Sequence, residues 1–510
     1  MKKKLLALLF AAAMLAGLLV SCKPETGKPA ETGGTTKVTG GTESAGSDTE
    51  PPRPKLPDVT YGGYNFRFYS WDIDGWRVYN DIFVDDPTGQ DSISQKVYER
   101  NTRIEDKYDI NITETREYYS KYAYIIQQNT QSGDDYADVL ISHGWIIPAI
   151  YAFNPFYNLR DINYLEFNMP WWDDNATESL TIDGFLPTGV SDLTLLDKSA
   201  TYVVFYNLSL GKELSISEDM YKTVDSGDWT QEKLRTLGLI ASKDMDGDGS
   251  IDRIGTDRYG ILGNDSAVTA LFGGTGGRYV SLDGEGQPYI SFNTEKNIGA
   301  MQDFLEKILF DESLFCNTSW VDGFTEVDSL ANLFMSDLGL FYIRALDEGE
   351  KLRNMRSEYA ILPVPKFDAA QKEYYCPVSV YSNNLISVPY HAEDTDRTGV
   401  IIEALSAESY YSVNPEFYDK VLDNKIARDE ETKKMLDIIF DSRLYDLGEF
   451  YGLAYFSDKI RGVTGHSYEL TGIAKTSDIA SFYETYRPLL EAALKDLIRV
   501  VDDWNSNAGK

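Results

Sequence analysis

An α/β protein of two lobes, each a mainly parallel sheet flanked by helices, is the fold this sequence predicts. Three observations carry the prediction. The chain has 510 residues, and a single hydrophobic core rarely grows past about 250 to 300 residues, so the mass divides into more than one lobe. Hydrophobic residues make up 42% of it and charged residues 25%, the balance of a globular chain. Strand and helix patterns alternate from Tyr64 to Ser142, and such alternation builds a largely parallel sheet covered on both faces.

At the start, Lys2, Lys3 and Lys4 precede an apolar run from Leu5 to Val20, followed by Ser21 and Cys22. A positive end, an apolar core and small residues read as an export signal over residues 1–22, and the run is shorter than the ~20 residues of a membrane span. The stretch Leu19-Val20-Ser21-Cys22 resembles a bacterial lipobox. That resemblance implies lipidation of Cys22 and a protein anchored on the extracellular face of the cytoplasmic membrane. Residues 23–58 are rich in Thr, Gly, Ser, Glu and Pro, with almost no apolar side chains before Leu56. Such a segment cannot bury enough surface to offset its ordering entropy and is expected to be a disordered tether, about 30 Å across by random-coil scaling. Cys316 and Cys376 lie far apart and in no framework spacing, so they read as free thiols. The formal net charge of −33, from 48 basic and 81 acidic side chains, excludes a nucleic-acid partner, whose phosphates it would repel. Solubility outside the cell is the plain reading of that charge; a cleft that selects a cationic ligand is the sharper one.

The folded part begins near Tyr61. Tyr64 to Trp71 alternates as a strand with Phe66 and Phe68 on one face. From Gln90 to Tyr108 the pattern turns helical, with Val97, Asn101, Ile104 and Tyr108 on one stripe. A strand at Ile110 to Thr113, a helix at Tyr119 to Gln131 and a buried strand at Ala137 to Ser142 follow. In sheets of this kind ligands bind at the carboxyl ends of strands. Trp71, Asp72 and Trp76 stand at one such end, and His143, Gly144 and Trp145 at another. An indole suits the apolar face of a sugar ring, whose hydroxyls then seek directional polar partners. Trp71 and Trp145 fit a cleft and a core equally well. His143 has no Cys or His at ligand spacing, so it does not read as a zinc site.

Trp171-Trp172-Asp173-Asp174 is the most conspicuous aromatic and acidic cluster. It suits an acid or base of glycoside cleavage, or an aromatic corner with a capping Asp; no second carboxylate is singled out by spacing. A strand runs from Tyr202 to Asn207. Next, Asp228 or Thr230 caps a helix whose Leu234, Leu237, Gly238 and Ala241 share a face. It runs into an acidic loop in which Asp244, Asp246, Asp248, Gly249, Ser250 and Asp252 match the first, third, fifth, sixth, seventh and ninth positions of an EF-hand loop. The twelfth position is Gly255, where a bidentate carboxylate is usual. Calcium completed by Asp257 or water, and a metal-free turn, both fit this spacing. Gly273 to Gly277 lacks the Lys-Ser or Lys-Thr of a phosphate loop, so a close backbone approach explains it better. A turn spans Leu282 to Pro288. A helix from Glu295 carries Ile298, Met301, Leu305, Ile308 and Leu309 on one face, and Trp320 lies in a polar loop beyond it. After Ala392 the chain is helical, and the last helix places Leu490, Leu494, Leu497, Ile498 and Val501 together.

The order of capped helix, acidic loop and strand in Asp228 to Ile261 resembles the corresponding segment of bacterial extracellular solute-binding proteins of ABC transporters. The likeness is to the sugar-binding family that includes maltose-binding protein. Gly184 to Asp192 followed by the strand at Tyr202 resembles the first crossing between lobes in that family. Asn207 stands where an Asn usually precedes Lys, and Leu208 replaces that Lys. Leu333 to Ile343 and Tyr359 to Lys366 resemble the strand before the binding loop and the return crossing. The resemblance runs from about Tyr61 to Trp504. It implies a type II periplasmic-binding-protein fold with one lobe from 59–192 plus 365–410 and the other from 193–364 plus 411–510, hinged near 190–199 and 362–366. To the strand-end residues Trp71, Asp72, Trp76, His143 and Trp145 it adds Asp192, Trp320, Arg344 and Tyr381 as ligand-binding candidates. It implies a monomeric, lipid-anchored receptor that delivers a solute, expected to be an oligosaccharide, to an ABC permease. No catalysis and no required cofactor are implied, calcium in the acidic loop being structural. A secreted glycosidase and a surface sensor or adhesin are the competing classes.

Overall fold

The computed structural model describes residues 51–507, leaving out 74–78, 154, 253, 318–325, 424–429 and 466–471. The expected signal with Cys22, tether residues 23–50, Trp76 and Trp320 lie outside the described residues. Residues 52–510 form one compact unit. Its strands are β1 (Tyr64–Asp72), β2 (Ile110–Tyr118), β3 (Val139–Ser142), β4 (Tyr202–Asn207), β5 (Tyr259–Gly263), β6 (Val280–Leu282), β7 (Pro288–Ile290), β8 (Phe315–Asn317), β9 (Gly339–Ala345), β10 (Tyr359–Leu362), β11 (Cys376–Pro377), β12 (Leu385–Ser387) and β13 (Arg443–Leu444).

Two sheets dominate. The first has the order β12-β3-β1-β2, with β1 parallel to both β2 and β3 and β12 antiparallel at the edge. The second has the order β10-β4-β9-β5-β8; β9, β5 and β8 are parallel, and β4 runs against its two neighbours. Phe66, Phe68, Tyr69, Ser70 and Trp71 of β1 are all buried, because helices cover both faces of a parallel sheet. The helix Ser92–Tyr108 starts where the Asp91 carboxylate accepts from the amides of Ile93 and Ser94. Its stripe of Val97, Asn101, Ile104 and Tyr108 is buried as the spacing predicts. β2 runs on to Tyr118, past the expected end at Thr113; as an edge strand it keeps pairing although its later side chains are only partly covered.

The helix Gln231–Ala241 is capped by Thr230 rather than Asp228, its hydroxyl accepting from Lys233 N, while Asp228 accepts from Ser226. Gly238 of this helix lies against Gly260 of β5, where a Cβ on Gly260 would sit 2.3 Å from the Gly238 carbonyl. Helix and strand pack this closely only without side chains there.

Three expectations are corrected. The boundary at 410 falls inside a single helix, Thr395–Asp423. That helix stays on the first sheet's side: Ser409 accepts from Arg100 at 3.0 Å, Glu408 pairs with Arg103 at 2.7 Å, and Phe417 meets Tyr79 edge-on. The tether ends before 58, since the Tyr411 hydroxyl donates to the Pro52 carbonyl, Arg53 lies 4.7 Å over the Tyr411 ring and Leu56 packs on the core. The return crossing comes later than 362–366, because Lys366 is held to the second sheet's helix by Gln231 N at 2.8 Å and Trp229 O at 3.1 Å. The chain crosses instead through Cys376 to Ser379, where Ser379 N donates to Ala200 O of the first crossing at 3.0 Å. A third segment lies alongside: Cys376 N and Val378 N donate to Ser442 O and Leu444 O at 2.8 and 3.0 Å. Cys316 and Cys376 are free and buried. Among the described residues no helix is long and apolar enough to cross a membrane.

Candidate functional site

The loop leaving β3 brings out the one exposed ring of its strand end. Trp145 N donates to Val380 O at 3.0 Å and Gly144 N to Asn383 Oδ1 at 2.9 Å, which locks the loop to the chain before β12. Trp145 is 37% exposed, and its neighbours are aromatic. Tyr381 lies 6.3 Å away at 30° and Tyr119 lies 6.2 Å away at 51°, with Tyr118 a further 5.1 Å beyond Tyr119. All come from the carboxyl ends of strands or the connections between them, and together they make an aromatic shelf on the first sheet's side.

Facing it is the short helix Phe456–Arg461, which packs on the helix Ser266–Gly274 that follows β5 of the second sheet. Its Asp458 carboxylate accepts from the Trp145 indole and from the Tyr381 hydroxyl, and Arg461 pairs with Asp458 while its guanidinium lies 4.6 Å over the Tyr381 ring. Burial pushes the Asp458 carboxyl up to about 6, against the hydrogen bond from Trp145, which favours the charged form. Close by, Asp265 at the end of β5 accepts from Asn317 Nδ2 and Thr464 Oγ1, both at 2.9 Å. Ring faces on one side and oriented carboxylates on the other suit a molecule that is apolar in its plane and hydroxylated at its rim, which would take the place of the bonds that now join Trp145 and Tyr381 to Asp458.

Of the residues expected from sequence, Trp145 and Tyr381 are in this arrangement. Asp72, at the end of β1, is half-buried. Trp71 is a core residue instead of a cleft residue: it is fully buried, and its indole donates to Asn384 Oδ1 at 2.8 Å. His143 is also buried, with its ring parallel to that of Trp145 at 6.2 Å. Its ring nitrogens find no hydrogen bond of ordinary geometry among the described residues. Burial pushes its pKa down to about 3, so the imidazole is neutral. Asp192 belongs to the hinge, where it is paired with Lys198 at 2.9 Å. Arg344, in β9, is turned to Glu348 of the following 3-10 helix at 3.3 Å; a nearby carboxylate outcompetes solvent for a guanidinium with so little exposure. Tyr119, Asp458, Arg461, Asp265, Asn317 and Thr464 were not read from the sequence. Tyr119, Asp265 and Asn317 had a signal, each standing at or just past a strand's end; the others are brought in from chain far away.

The Trp171-Trp172 cluster takes its bland reading. Both indoles donate to Glu403, at 2.8 and 2.9 Å, and Asp173 caps the helix Asp174–Leu180 through Ala176 N. In the acidic loop, Asp244 accepts from Gly247 N and Gly249 N, Asp246 from Asp248 N, and Asp248 from Ser250 N. Among the described residues, Asp244, Asp246 and Asp257 bring carboxylate oxygens within 4.8 Å of one another. The carboxylates of Asp248 and Asp252 stay outside that group. Asp257, fully buried and two residues past Gly255, accepts from Met245 N at 2.9 Å and from Asp252 N at 3.2 Å.

No family model matches the sequence, and no curated protein matches it. Solved structures do. The chain is similar to the sugar-binding protein MalE of the phytopathogen Xanthomonas citri, with a TM-score of 0.54 and 13% identity over 85% of this chain and 98% of that one. It is similar to the GacH receptor of Streptomyces glaucescens, solved unliganded and with acarbose, with a TM-score of 0.53 and 13% identity over 84% and 99% of the two chains. It is also similar to UspC of M. tuberculosis, with a TM-score of 0.53 and 15% identity over 85% and 100%. At these identities the likeness establishes the fold, the two-lobed type II periplasmic-binding-protein architecture.

Proposed function

We propose that this chain is an extracellular receptor that captures an oligosaccharide between its two lobes and hands it, chemically unaltered, to an ABC permease. The observation that carries the reading is the Tyr119, Trp145 and Tyr381 shelf facing the Asp458 carboxylate. A pyranose ring lays its apolar face on an aromatic ring, and its hydroxyls donate to a carboxylate in charge-assisted hydrogen bonds. Sugar-binding proteins of the same fold support the choice of ligand, MalE of Xanthomonas citri among them. Micromolar capture needs about 8 kcal/mol, a sum within reach of stacked rings and several hydrogen bonds after the costs of ordering. Closure bends the crossings beside Ala200 and Ser379, where few residues absorb the change.

The lipid at Cys22 and the tether from 23 keep the receptor, a monomer, beside its permease on the outer face of the membrane. Asp244, Asp246 and Asp257 hold a structural calcium ion, since hard carboxylate oxygens converge there. Calorimetry against a panel of oligosaccharides that includes maltotetraose, with chromatography of the recovered sugar, tests the reading. Saturable binding with intact sugar is expected; cleaved sugar, or heat from no member of the panel, overturns it.

A further inference from the structure

Trp71 does not line the shelf, but it stands beneath it. Its indole meets the His143 imidazole edge-on with 4.5 Å between ring centres, and that imidazole lies within 4° of parallel to the exposed Trp145 ring. From the other end of the indole a chain of hydrogen bonds leads away. Trp71 Nε1 donates to Asn384 Oδ1 at 2.8 Å, and Asn384 Nδ2 donates to Asp81 Oδ2 at 3.0 Å. The same Asp81 oxygen accepts the backbone N–H of Leu195 at 3.0 Å. Leu195 is in the first crossing between the sheets, next to the turn Leu196–Ser199 that carries Asp197 and Lys198. Trp71, Asn384, Asp81 and Leu195 are all at 0% exposure.

The chemistry of the partners fixes the Asn384 amide. An indole only donates and a carboxylate only accepts, so the oxygen must face Trp71 and the nitrogen Asp81. Asn384 is fully buried, so displacing the Trp71 indole costs its amide the hydrogen bond that orients it and leaves the oxygen desolvated. We propose that Asn384 is a positioning residue that couples the shelf to the hinge, so that settling of Trp145 on a ligand is transmitted to the backbone at Leu195. The identity of that ligand rests on the oligosaccharide reading; the connection does not.

Hydrogen exchange of the full chain without sugar tests the coupling. Trp71→Phe keeps an apolar ring and removes the N–H. Exchange of the Leu195 amide is expected to accelerate at least tenfold relative to the β4 amides of Val203 and Phe205. Unchanged exchange at Leu195, or equal acceleration at all three, overturns the proposal. If Trp71→Phe does not fold, the isosteric Asp81→Asn decides from the hinge side: faster exchange of the Trp71 indole N–H supports the coupling, and an unchanged rate overturns it. Because no sugar is present, failure of every member of the oligosaccharide panel to bind in a separate titration overturns the oligosaccharide reading alone.

Discussion

Arg443 reaches from β13 to Asp197 in the first crossing, with 2.7 Å between Nη1 and Oδ2. Its Nη2 lies 2.8 Å from Asp173, to which the Tyr445 hydroxyl also donates, and Lys198 lies 3.6 Å from Asp197 and 2.9 Å from Asp192. Three carboxylates and two cations therefore close a buried network where the crossing segments lie side by side. Taking one partner from such a network leaves uncompensated charge in a low dielectric. Arg443→Met is expected to cost about 3–5 kcal/mol in urea denaturation. A loss under 1 kcal/mol would mean that water already screens the cluster.

Trp145 and Trp71 should separate binding from folding. Trp145→Ala removes a partly exposed ring and is expected to weaken oligosaccharide binding at least about tenfold, ~1.4 kcal/mol, with little change in Tm. Trp71→Ala empties a fully buried volume and is expected to cost about 3–5 kcal/mol of stability. Calorimetry and thermal melts on both variants check the contrast, and the opposite pattern would exchange their roles.

The contribution of Asp446 to stability should fall as the pH rises from 5 to 7.5. Burial lifts the Asp446 carboxyl from its ordinary 3.8 to about 6, against the Tyr279 amide that donates to it at 2.6 Å. The folded state thus holds this proton more tightly than the unfolded state does. Its contribution is complete below about pH 4 and is lost as the pH passes through 6. Asp446→Asn is expected to lower Tm throughout but to flatten its slope between pH 5 and 7.5; an unaltered slope would assign the pH dependence to other groups.

Calcium should stabilise the chain after exhaustive chelation, through binding to the folded state. The rise in Tm is expected to disappear in Asp257→Asn, whose carboxylate is the buried member of the cluster. A rise that survives the substitution would place the ion elsewhere.

What the sequence determined by itself is local. The periodicity of Val97, Asn101, Ile104 and Tyr108 marks a helix face, the apolar run at Val139 to Ser142 marks a buried strand, and the loop from Asp244 marks an acidic turn. Each is legible because backbone hydrogen bonding and side-chain spacing act over a few residues. Trp145 was reachable too, since ligands gather at the carboxyl ends of parallel strands, and Tyr381 through the family resemblance. Only the tertiary structure decided which tryptophan is a surface and which a strut. Trp71 lies in the last pleat of β1 and Trp145 three residues past β3; an Asn 313 positions away captures one indole, and Asp458, from the far end of the chain, faces the other. It also decided that Thr395–Asp423 stays with the first sheet and that Arg443 returns to the hinge. Burial and charge pairing are set by what the rest of the chain brings alongside, and no local spacing carries that information.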